Sequence, residues 1–488
     1  MLDAAIDRAP PPLKNSMSPS VQSPTLPHLS LQQQRYLEEF ISRYTQRTKN
    51  SKHNAQTYRS VLADNKTATG FSQALKELFY PIVSQQARGS RIWDIDGNEY
   101  IDLVMGFGIN LLGHHPPSIQ AALREQLERG IPIGSQPEQV GEVAQLICDL
   151  TGTERVAFSN TGTEAVMTAI RLARAATHRP QIAYFSGSYH GHFDGTLLEA
   201  ESIDGVLRSR PQYAGVPANL TDDTLVLEYG NPRSLDIIRS HAHKLAAVLV
   251  EPVQTSNPGL QPQTFLQDLR TLTQSLGVAL IFDEMVTGFR IHLGGAQAWF
   301  GVNADLVTYG KIVGGGLPIG VIAGKAAYLD QIDGGMWSYG DASYPRIKTT
   351  FFAGTYCKHP LSIVAAKAVL TYLKSEGITL QQRLNQRTAH FVQCLNDYFT
   401  TAQVPLRMVN FGSLFGVDVS IPASFTGEVT DLPIAMNLLY YHLVDRGVLI
   451  RGSGGYLSTA HTDDDSDHII QAIQNSIEAL RSGGFLLN

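Results

Sequence analysis

Short apolar runs recur along the chain, and two of them end in residues that can do chemistry. Residues 278–282 read Val-Ala-Leu-Ile-Phe and are followed by Asp283, and the run at residues 305–309 is followed by Gly310 and Lys311. Continuous apolar runs of this length are typical of strands buried on both faces of a parallel sheet. Ligands bind such sheets at the carboxyl ends of the strands. The pattern therefore predicts that Asp283 and Lys311 meet at one edge of a buried sheet.

Other patterns predict the elements around this sheet. Residues 90–102 alternate apolar and polar around an Asp-Gly turn, which indicates a hairpin, and residues 117–129 show helical spacing. Residues 10–30 are rich in proline, serine and glutamine, a composition typical of a linker or tail. We therefore expect an α/β protein with four parts: a disordered linker or tail at 1–30, a helical segment and hairpin at 31–110, a large cofactor-binding domain at 111–360, and a small C-terminal domain at 361–488.

Length and composition describe an ordinary globular chain. The 488 residues are enough for two or more lobes, with 43% hydrophobic residues and a net charge of −6. This charge gives nucleic-acid binding little support. The three cysteines are far apart and form no metal-binding motif, which favours a reducing compartment. The N-terminus has no secretory pattern and no apolar run approaches the roughly 20 residues of a membrane span, so we expect a cytoplasmic protein that binds no metal.

A lysine at the edge of a buried sheet predicts amine chemistry. Desolvation lowers the pKa of a lysine, and the neutral amine can attack a carbonyl to form a Schiff base. A carboxylate on the neighbouring strand could keep the ring nitrogen of pyridoxal phosphate protonated, which makes the ring an electron sink. We hypothesise that Lys311 and Asp283 form this pair. The alternative is that Asp283 caps a helix and Lys311 is a solvated loop residue.

A second motif predicts an anion site. A strand at residues 155–158 is followed by Ser-Asn-Thr-Gly-Thr-Glu at 159–164 and then by a helical pattern. A polar glycine turn at a helix N-terminus directs free N–H groups and the helix dipole at an anion. The cofactor phosphate is therefore expected at residues 160–163. An ordinary N-cap is the alternative, because Asn and Thr are good capping residues.

Several segments carry a resemblance to a known family. Residues 282–290, 294–297, 300–302 and 310–316 closely resemble the class III pyridoxal-phosphate aminotransferases, over about residues 80 to 472. The chain is most similar to the glutamate-1-semialdehyde aminomutase branch and to aminotransferase domains of polyketide and nonribosomal peptide synthases, which belong to secondary metabolism. The resemblance implies fold type I, with a large domain built on a mostly parallel seven-stranded sheet and a smaller α+β C-terminal domain.

The resemblance also implies roles for individual residues. Tyr189 would stack on the cofactor ring and Gln254 would bind its phenolic oxygen. Thr355 would reach the phosphate in the partner subunit, which implies a homodimer with shared active sites. The implied catalytic residues are Lys311 and Asp283, and the implied cofactor-binding residues are Asn160, Thr161, Gly162, Thr163, Tyr189, His190, Glu251, Gln254, Asp283, Val286, Lys311 and Thr355.

Two departures from the aminomutase pattern bear on the substrate. Ser84 stands where the aminomutase has an arginine that binds the substrate carboxylate, so a bidentate clamp is lost. The C-terminal loop is shorter and carries Arg451, a candidate for the donor carboxylate with Arg290 as its competitor. Phe107, in the glycine-rich loop 105–110, is expected on the substrate side.

We therefore expect an aminotransferase that moves an amino group from an amino acid, such as glutamate, to a ketone whose carboxyl is masked. A β-ketoacyl thioester on an acyl carrier protein would fit. One alternative is an isomerase of the glutamate-1-semialdehyde 2,1-aminomutase type, and another is a non-catalytic docking module that has kept the fold.

Overall fold

The computed structural model describes residues 29–65, 71–203, 206–419, 432–450, 452 and 454–486. All of the predicted tail except residues 29 and 30 lies outside these ranges, and so does Arg451. Among the described residues, no helix is long and apolar enough to cross a membrane.

Helices and strands alternate through most of the chain. The helices are α1 (Leu31–Arg47), α2 (Lys49–Tyr58), the single turn α3 (Met105–Gly108), α4 (Pro117–Arg129), α5 (Val140–Thr151), α6 (Gly162–Thr177), α7 (Pro232–His241), α8 (Gln263–Leu276), α9 (Gly295–Phe300), α10 (Ala326–Asp333), α11 (Pro360–Glu376), α12 (Thr379–Thr401), α13 (Leu432–Asp445) and α14 (Asp463–Ser482). The strands are β1 (Ser84–Arg88), β2 (Arg91–Asp94), β3 (Glu99–Asp102), β4 (Arg155–Ser159), β5 (Gln181–Phe185), β6 (Leu198–Ile203), β7 (Val206–Pro211), β8 (Thr224–Leu227), β9 (Leu245–Val250), β10 (Ala279–Asp283), β11 (Leu306–Tyr309), β12 (Gly320–Gly324), β13 (Met408–Phe411), β14 (Leu414–Val417), β15 (Val448–Leu449) and β16 (Gly454–Tyr456).

A seven-stranded sheet forms the centre of the large domain, in the order β4-β12-β11-β10-β9-β5-β8. The pairs that join β11, β10, β9, β5 and β8 are parallel, whereas β12 is antiparallel to both of its neighbours. Every residue of β9 and β10 is buried, as their continuous apolar sequences predict. The predicted fold type I architecture is confirmed.

Helices cover both faces of this sheet because alternate residues of a strand point to opposite sides. Ile281 of β10 packs in one cluster with Leu249 of β9 and with Ile170 of α6. Leu280 and Phe282 belong to the cluster on the other face, which includes apolar residues of α5, α8 and α11. The two clusters bury every residue of the central strands β9, β10, β11 and β12, so polar ligands can reach these strands only at their ends.

The N-terminal hairpin and the C-terminal part of the chain share one sheet. β1, β2 and β3 are antiparallel neighbours, and β15 pairs with β3 in parallel, with Val448 opposite Ile101. Helix α1 adds Leu37, Phe40 and Tyr44 to a cluster with residues of α13. A second small sheet, β13-β14-β16, lies against α12. The two ends of the chain therefore support each other beside the large domain.

Truncation of Ile281 tests the core that holds the strand ends in place. Ile281 is fully buried and pairs with Leu249 and Leu306. Ile281→Ala is expected to lower the free energy of unfolding by about 2–5 kcal/mol because of the cavity, and Ile281→Val by about 1 kcal/mol. Urea unfolding of the two variants measures both effects. Equal midpoints for all three proteins would contradict this packing.

Candidate active site

The carboxyl ends of β10 and β11 bring together the two residues that the sequence singled out. Asp283 is the last residue of β10 and lies opposite Thr308 of β11. Lys311 follows two residues after the end of β11, in the 3₁₀ turn Lys311–Gly314. Both line a cavity of about 270 Å³. Its lining residues are Ile109, Asn160, Thr161, Gly162, Thr163, Val166, Tyr189, His190, Gly191, Asp283, Met285, Lys311, Leu317, Pro318 and Ile319.

The carboxylate of Asp283 is held by three hydrogen bonds. Oδ2 lies 2.8 Å from His190 Nδ1, and Oδ1 accepts from Thr308 Oγ1 at 2.9 Å and from the Met285 N–H at 3.2 Å. A carboxylate can only accept, so Nδ1 carries the proton of this imidazole. Both side chains are almost fully buried. Asp283 is thus oriented toward the cavity as a fixed negative charge, and it does not cap a helix.

Two buried polar atoms at the cavity have no partner among the described residues. They are His190 Nε2 and Asn160 Oδ1. Buried polar atoms without hydrogen bonds are rare and costly, so each points to a polar ligand in the cavity. In a neutral imidazole whose Nδ1 proton faces Asp283, Nε2 of His190 is an acceptor. The site therefore fits a polar cofactor such as pyridoxal phosphate.

The amine of Lys311 is largely removed from water. Burial lowers the pKa of Lys311, the carboxylates of Asp283 and Glu251 oppose this shift, and the Arg290 charge adds to it. The backbone of Lys311 has φ 41°, a left-handed conformation that is uncommon outside glycine and that occurs at functional sites. Lys311 is therefore not a solvated loop residue, and its amine becomes neutral more readily than that of an ordinary lysine.

The predicted anion site lies at the start of α6. Thr161 is the N-cap and its Oγ1 accepts from the Glu164 N–H at 3.2 Å, so the capping alternative is also correct. The Asn160 N–H is bonded to Glu164 Oε2 at 2.7 Å. Helix geometry leaves the N–H groups of the next positions, Gly162 and Thr163, without partners inside the helix. These two amides, which line the cavity, can bind a phosphate.

Glycine makes room where this turn meets its neighbours. A Cβ on Gly191 would lie 2.4 Å from Thr163 Oγ1, and one on Gly162 would lie 2.9 Å from Met285 Sδ. Met285 belongs to the segment that follows Asp283, so the anion turn packs directly on the residues next to this carboxylate.

The other predicted cofactor residues differ in burial, and only Tyr189 among them lines the cavity. Tyr189 lines it and is 65% exposed, which leaves a face of the ring open for stacking. Gln254 is buried, and its Nε2 donates to the Ser186 carbonyl at 2.8 Å. Val286 and Glu251 are buried, whereas Thr355 is exposed, and none of these four is among the lining residues. Their contacts with a cofactor stay predictions.

Glu251 adds a second buried carboxyl beside Asp283. Burial raises the pKa of Glu251 to about 7, His190 opposes this shift and Asp283 adds to it. Its carboxyl accepts from the Tyr189 N–H at 3.3 Å and from the Thr255 N–H at 3.0 Å. Glu251 therefore fixes the start of the segment that carries Tyr189 and His190.

The predicted substrate residues are more scattered. Phe107 is 47% exposed on the α3 turn, and Ser84 is exposed at the start of β1. Neither is among the residues that line the cavity, and Arg451 lies outside the described residues. Their substrate roles stay predictions. Ile109 lines the cavity and belongs to the loop 105–110 that the resemblance placed on the substrate side. Sequence reasoning did not assign roles to Thr308, whose position opposite Asp283 follows from the strand register, or to residues 317–319, which no local signal marks.

Arg290 is not available to a substrate carboxylate. The side chain is 1% exposed. Nε donates to the Val286 carbonyl at 2.9 Å, Nη1 donates to Ser413 Oγ at 2.9 Å, and Nη2 donates to the Gly108 carbonyl. The expectation that Arg290 competes for the donor carboxylate is therefore wrong, because the side chain is buried and each of its three nitrogens donates a hydrogen bond within the protein.

The chain as a whole is similar to known proteins. The model of the family "Aminotransferase class-III" matches residues 72–477. Glutamate-1-semialdehyde 2,1-aminomutase of Chloroflexus aggregans is 35% identical over 414 residues, which cover 82% of this chain and 91% of the relative. Glutamate-1-semialdehyde 2,1-aminomutase 2 of an Exiguobacterium species is 37% identical over 419 residues, with 82% and 91% covered.

Two solved structures are similar over nearly their whole length. An omega-transaminase from Sphaerobacter thermophilus superposes with a TM-score of 0.76 and 28% identity, covering 87% of this chain and 96% of that one. A β-phenylalanine aminotransferase from Variovorax paradoxus superposes with a TM-score of 0.76 and 26% identity, covering 92% and 98%.

Replacement of Lys311 tests its covalent role. In protein loaded with pyridoxal phosphate, borohydride reduction is expected to attach the cofactor covalently to Lys311, which mass spectrometry of the Lys311 peptide detects. Lys311→Ala should lose both this label and turnover. Its circular dichroism spectrum should be unchanged. Lys374→Ala removes an exposed lysine that pairs with Asp149 and serves as the matched control. A label on another lysine in the wild-type protein, or turnover by Lys311→Ala, would contradict the assignment.

The lowered pKa of Lys311 predicts its pH response. Only a neutral amine is acylated, and a lowered pKa means that the amine loses its proton at a lower pH than usual. In cofactor-free protein, acylation of Lys311 by acetic anhydride should therefore reach half its maximum below pH 10.5, the ordinary lysine value. Mass spectrometry of the Lys311 peptide across a pH series measures this, with a short lysine peptide as reference. A midpoint at or above the reference would show that burial does not control this amine.

Proposed function

The chain belongs to the class-III aminotransferase family, whose members use pyridoxal 5′-phosphate, and from this premise we propose that it moves an amino group from an amino acid donor to a ketone acceptor with a masked carboxyl. The chain is therefore an enzyme, and the alternative of a non-catalytic docking module is set aside. The observation that carries the choice of acceptor is the absence of arginine from the described lining of the cavity.

The residues at the cavity suit each part of the cofactor. Bound there, pyridoxal phosphate supplies a protonated ring that withdraws electrons from the substrate carbon. Asp283 would hold the proton on the ring nitrogen, and His190 would keep Asp283 oriented through its 2.8 Å contact. The amides of Gly162 and Thr163 would bind the phosphate. Tyr189 would cover one face of the ring, and Gln254 would meet the phenolic oxygen.

Lys311 would act on protons as well as hold the cofactor. Its buried amine has a lowered pKa, so the neutral form that accepts a proton is readily available. A positioned base of this kind contributes roughly 10²–10⁴-fold to the rate. Lys311 would take the proton from the substrate carbon in the first half of the reaction and return one in the second half. The nearby Asp283 and Glu251 stabilise the protonated amine between these steps.

The cavity lining supports an acceptor without a free carboxylate. Arginine is the side chain that binds a carboxylate with two parallel hydrogen bonds. Among the described lining residues there is no arginine, and Arg290 is already bonded within the protein. The carboxylate of the amino acid donor would be bound by Arg451, which lies outside the described residues. A β-ketoacyl thioester on an acyl carrier protein fits these conditions, because its carboxyl is bound as a thioester. We place such a reaction in polyketide or nonribosomal peptide synthesis.

Exposed aromatic residues support a homodimer. The segment 336–356 exposes Met336, Trp337, Tyr339, Tyr344, Phe351 and Tyr356. Large exposed apolar patches mark interfaces between proteins. Thr355 belongs to this segment and is exposed, so a partner subunit can receive it, as the family resemblance implies.

The second candidate is an intramolecular amine shift of the glutamate-1-semialdehyde aminomutase type. It is favoured by the 35–37% identity to such enzymes over 82% of this chain. It would use the same Lys311 and Asp283 and would need no external donor. The sequence comparisons thus favour the aminomutase, whereas the lining of the cavity favours the transaminase.

A single-turnover experiment separates the two candidates. Protein loaded with pyridoxamine phosphate is mixed with a β-ketoacyl carrier protein or with free glutamate-1-semialdehyde, and the visible spectrum and product mass are followed. We expect the carrier-bound ketone to gain the amine while the cofactor changes to its pyridoxal form. Rapid isomerisation of the semialdehyde, without reaction of the carrier-bound ketone, would overturn the proposal in favour of the aminomutase. Lys311→Ala is the inactive control for both substrates.

A further inference from the structure

Four consecutive residues beside the cavity have left-handed backbone. Met105, Gly106, Phe107 and Gly108 have φ values of 46°, 61°, 58° and 88°. Two of them carry side chains, and such residues adopt this conformation only when their surroundings hold them there. The next residue, Ile109, lines the cavity. The turn therefore determines where one part of the cavity wall stands.

The entry to this turn is held by a buried carboxylate. Asp102, the last residue of β3, accepts from the Val104 N–H at 2.8 Å and from the Met105 N–H at 3.1 Å. Its Oδ2 also lies 2.7 Å from His114 Nε2. Asp102 is 1% exposed, so water does not compete for these bonds. The chain is thus fixed where it enters the left-handed conformation.

The exit is held by Arg290. This buried guanidinium bonds to the Gly108 carbonyl, to the Val286 carbonyl and to Ser413 Oγ, which follows β13 in the small sheet. Its central carbon lies 5.0 Å from the centre of the Tyr456 ring. Arg290 therefore connects the turn with the segment that follows Asp283 and with the small domain.

Buried arginines are usually paired with a carboxylate, but the three acceptors of Arg290 are neutral. A buried charge without an opposite charge is costly, so stability alone does not explain why an arginine is buried here. Arginine instead offers several donors in one rigid plane, which fixes the relative positions of the groups that it binds.

Gly108 allows this close approach. A Cβ on Gly108 would lie 2.7 Å from Arg290 Nη2 and 2.8 Å from the Tyr456 ring. A side chain at position 108 would have to displace the guanidinium or the ring. The contact therefore depends on glycine for space as well as for its φ of 88°.

We propose that Arg290 is a positioning residue that holds the turn 105–108 and thereby fixes Ile109 in the wall of the substrate cavity. Tyr456, which lies against the guanidinium, and Asp102, which holds the entry of the turn, assist it. In this role Arg290 determines how tightly a ketone acceptor is bound without touching it. The part about the acceptor rests on the proposed function, whereas the holding of the turn does not.

Gly108→Ala tests the proposal, with Gly97→Ala as the matched control. Gly97 also has a left-handed φ, 82°, but a Cβ there meets nothing within 4 Å. In the loaded enzyme, Gly108→Ala should speed hydrogen exchange of the amides at 104–110, and Gly97→Ala should not. The acceptor KM should rise about tenfold in Gly108→Ala, as expected when a binding wall moves, with kcat little changed.

Arg290→Lys provides a second route if Gly108→Ala does not fold. It keeps the charge but loses the planar set of donors, so it should change exchange and KM in the same direction. Exchange at 104–110 that is unchanged in the folded variants would overturn the proposal, and so would a fall in kcat at constant KM. If the wild-type enzyme reacts with neither the β-ketoacyl carrier protein nor glutamate-1-semialdehyde, the proposed function fails. The hydrogen-exchange data alone then decide whether Arg290 holds the turn.

Discussion

The burial of several ionisable groups at one sheet edge is the constraint on which the site depends. Asp283, Glu251 and Arg290 are buried, and burial lowers the pKa of the neighbouring Lys311. Asp283 and Glu251 oppose that lowering of the Lys311 pKa, and Arg290 adds to it. In such surroundings an unpaired charge is costly, whereas a paired or hydrogen-bonded one is strongly oriented. The hydrogen bonds of Asp283 to His190 and Thr308 meet this requirement and keep the carboxylate fixed.

The sheet supplies this arrangement through its register. Parallel pairing of β10 with β11 sets Asp283 beside Thr308 and leaves Lys311 three residues further along, past the end of the strand. Helix α6 packs across the same strands and brings its N-terminus to the cavity. A positive helix end, a fixed carboxylate and a buried amine thus meet through ordinary packing, and each suits a different part of one cofactor.

The small domain contributes through a contact that contains no reacting group. Ser413 and Tyr456 meet Arg290, which in turn bonds to the Gly108 carbonyl next to Ile109. The geometry of the cavity wall therefore depends on how the small sheet packs against the large domain.

Local signals in the sequence predicted a buried parallel sheet, the meeting of Asp283 with Lys311 at its edge and the polar glycine turn before α6. The number of strands, seven, came from the resemblance to a known family and not from local signals. An apolar run or a polar glycine turn is a property of a short segment. It can therefore be recognised without knowing which residues pack against it. The tertiary structure alone decided that β12 runs antiparallel, that β15 joins β3, and that Arg290 holds the Gly108 carbonyl instead of facing a substrate. Each of these depends on residues far apart in the chain, whose contacts are set by packing and carry no local pattern.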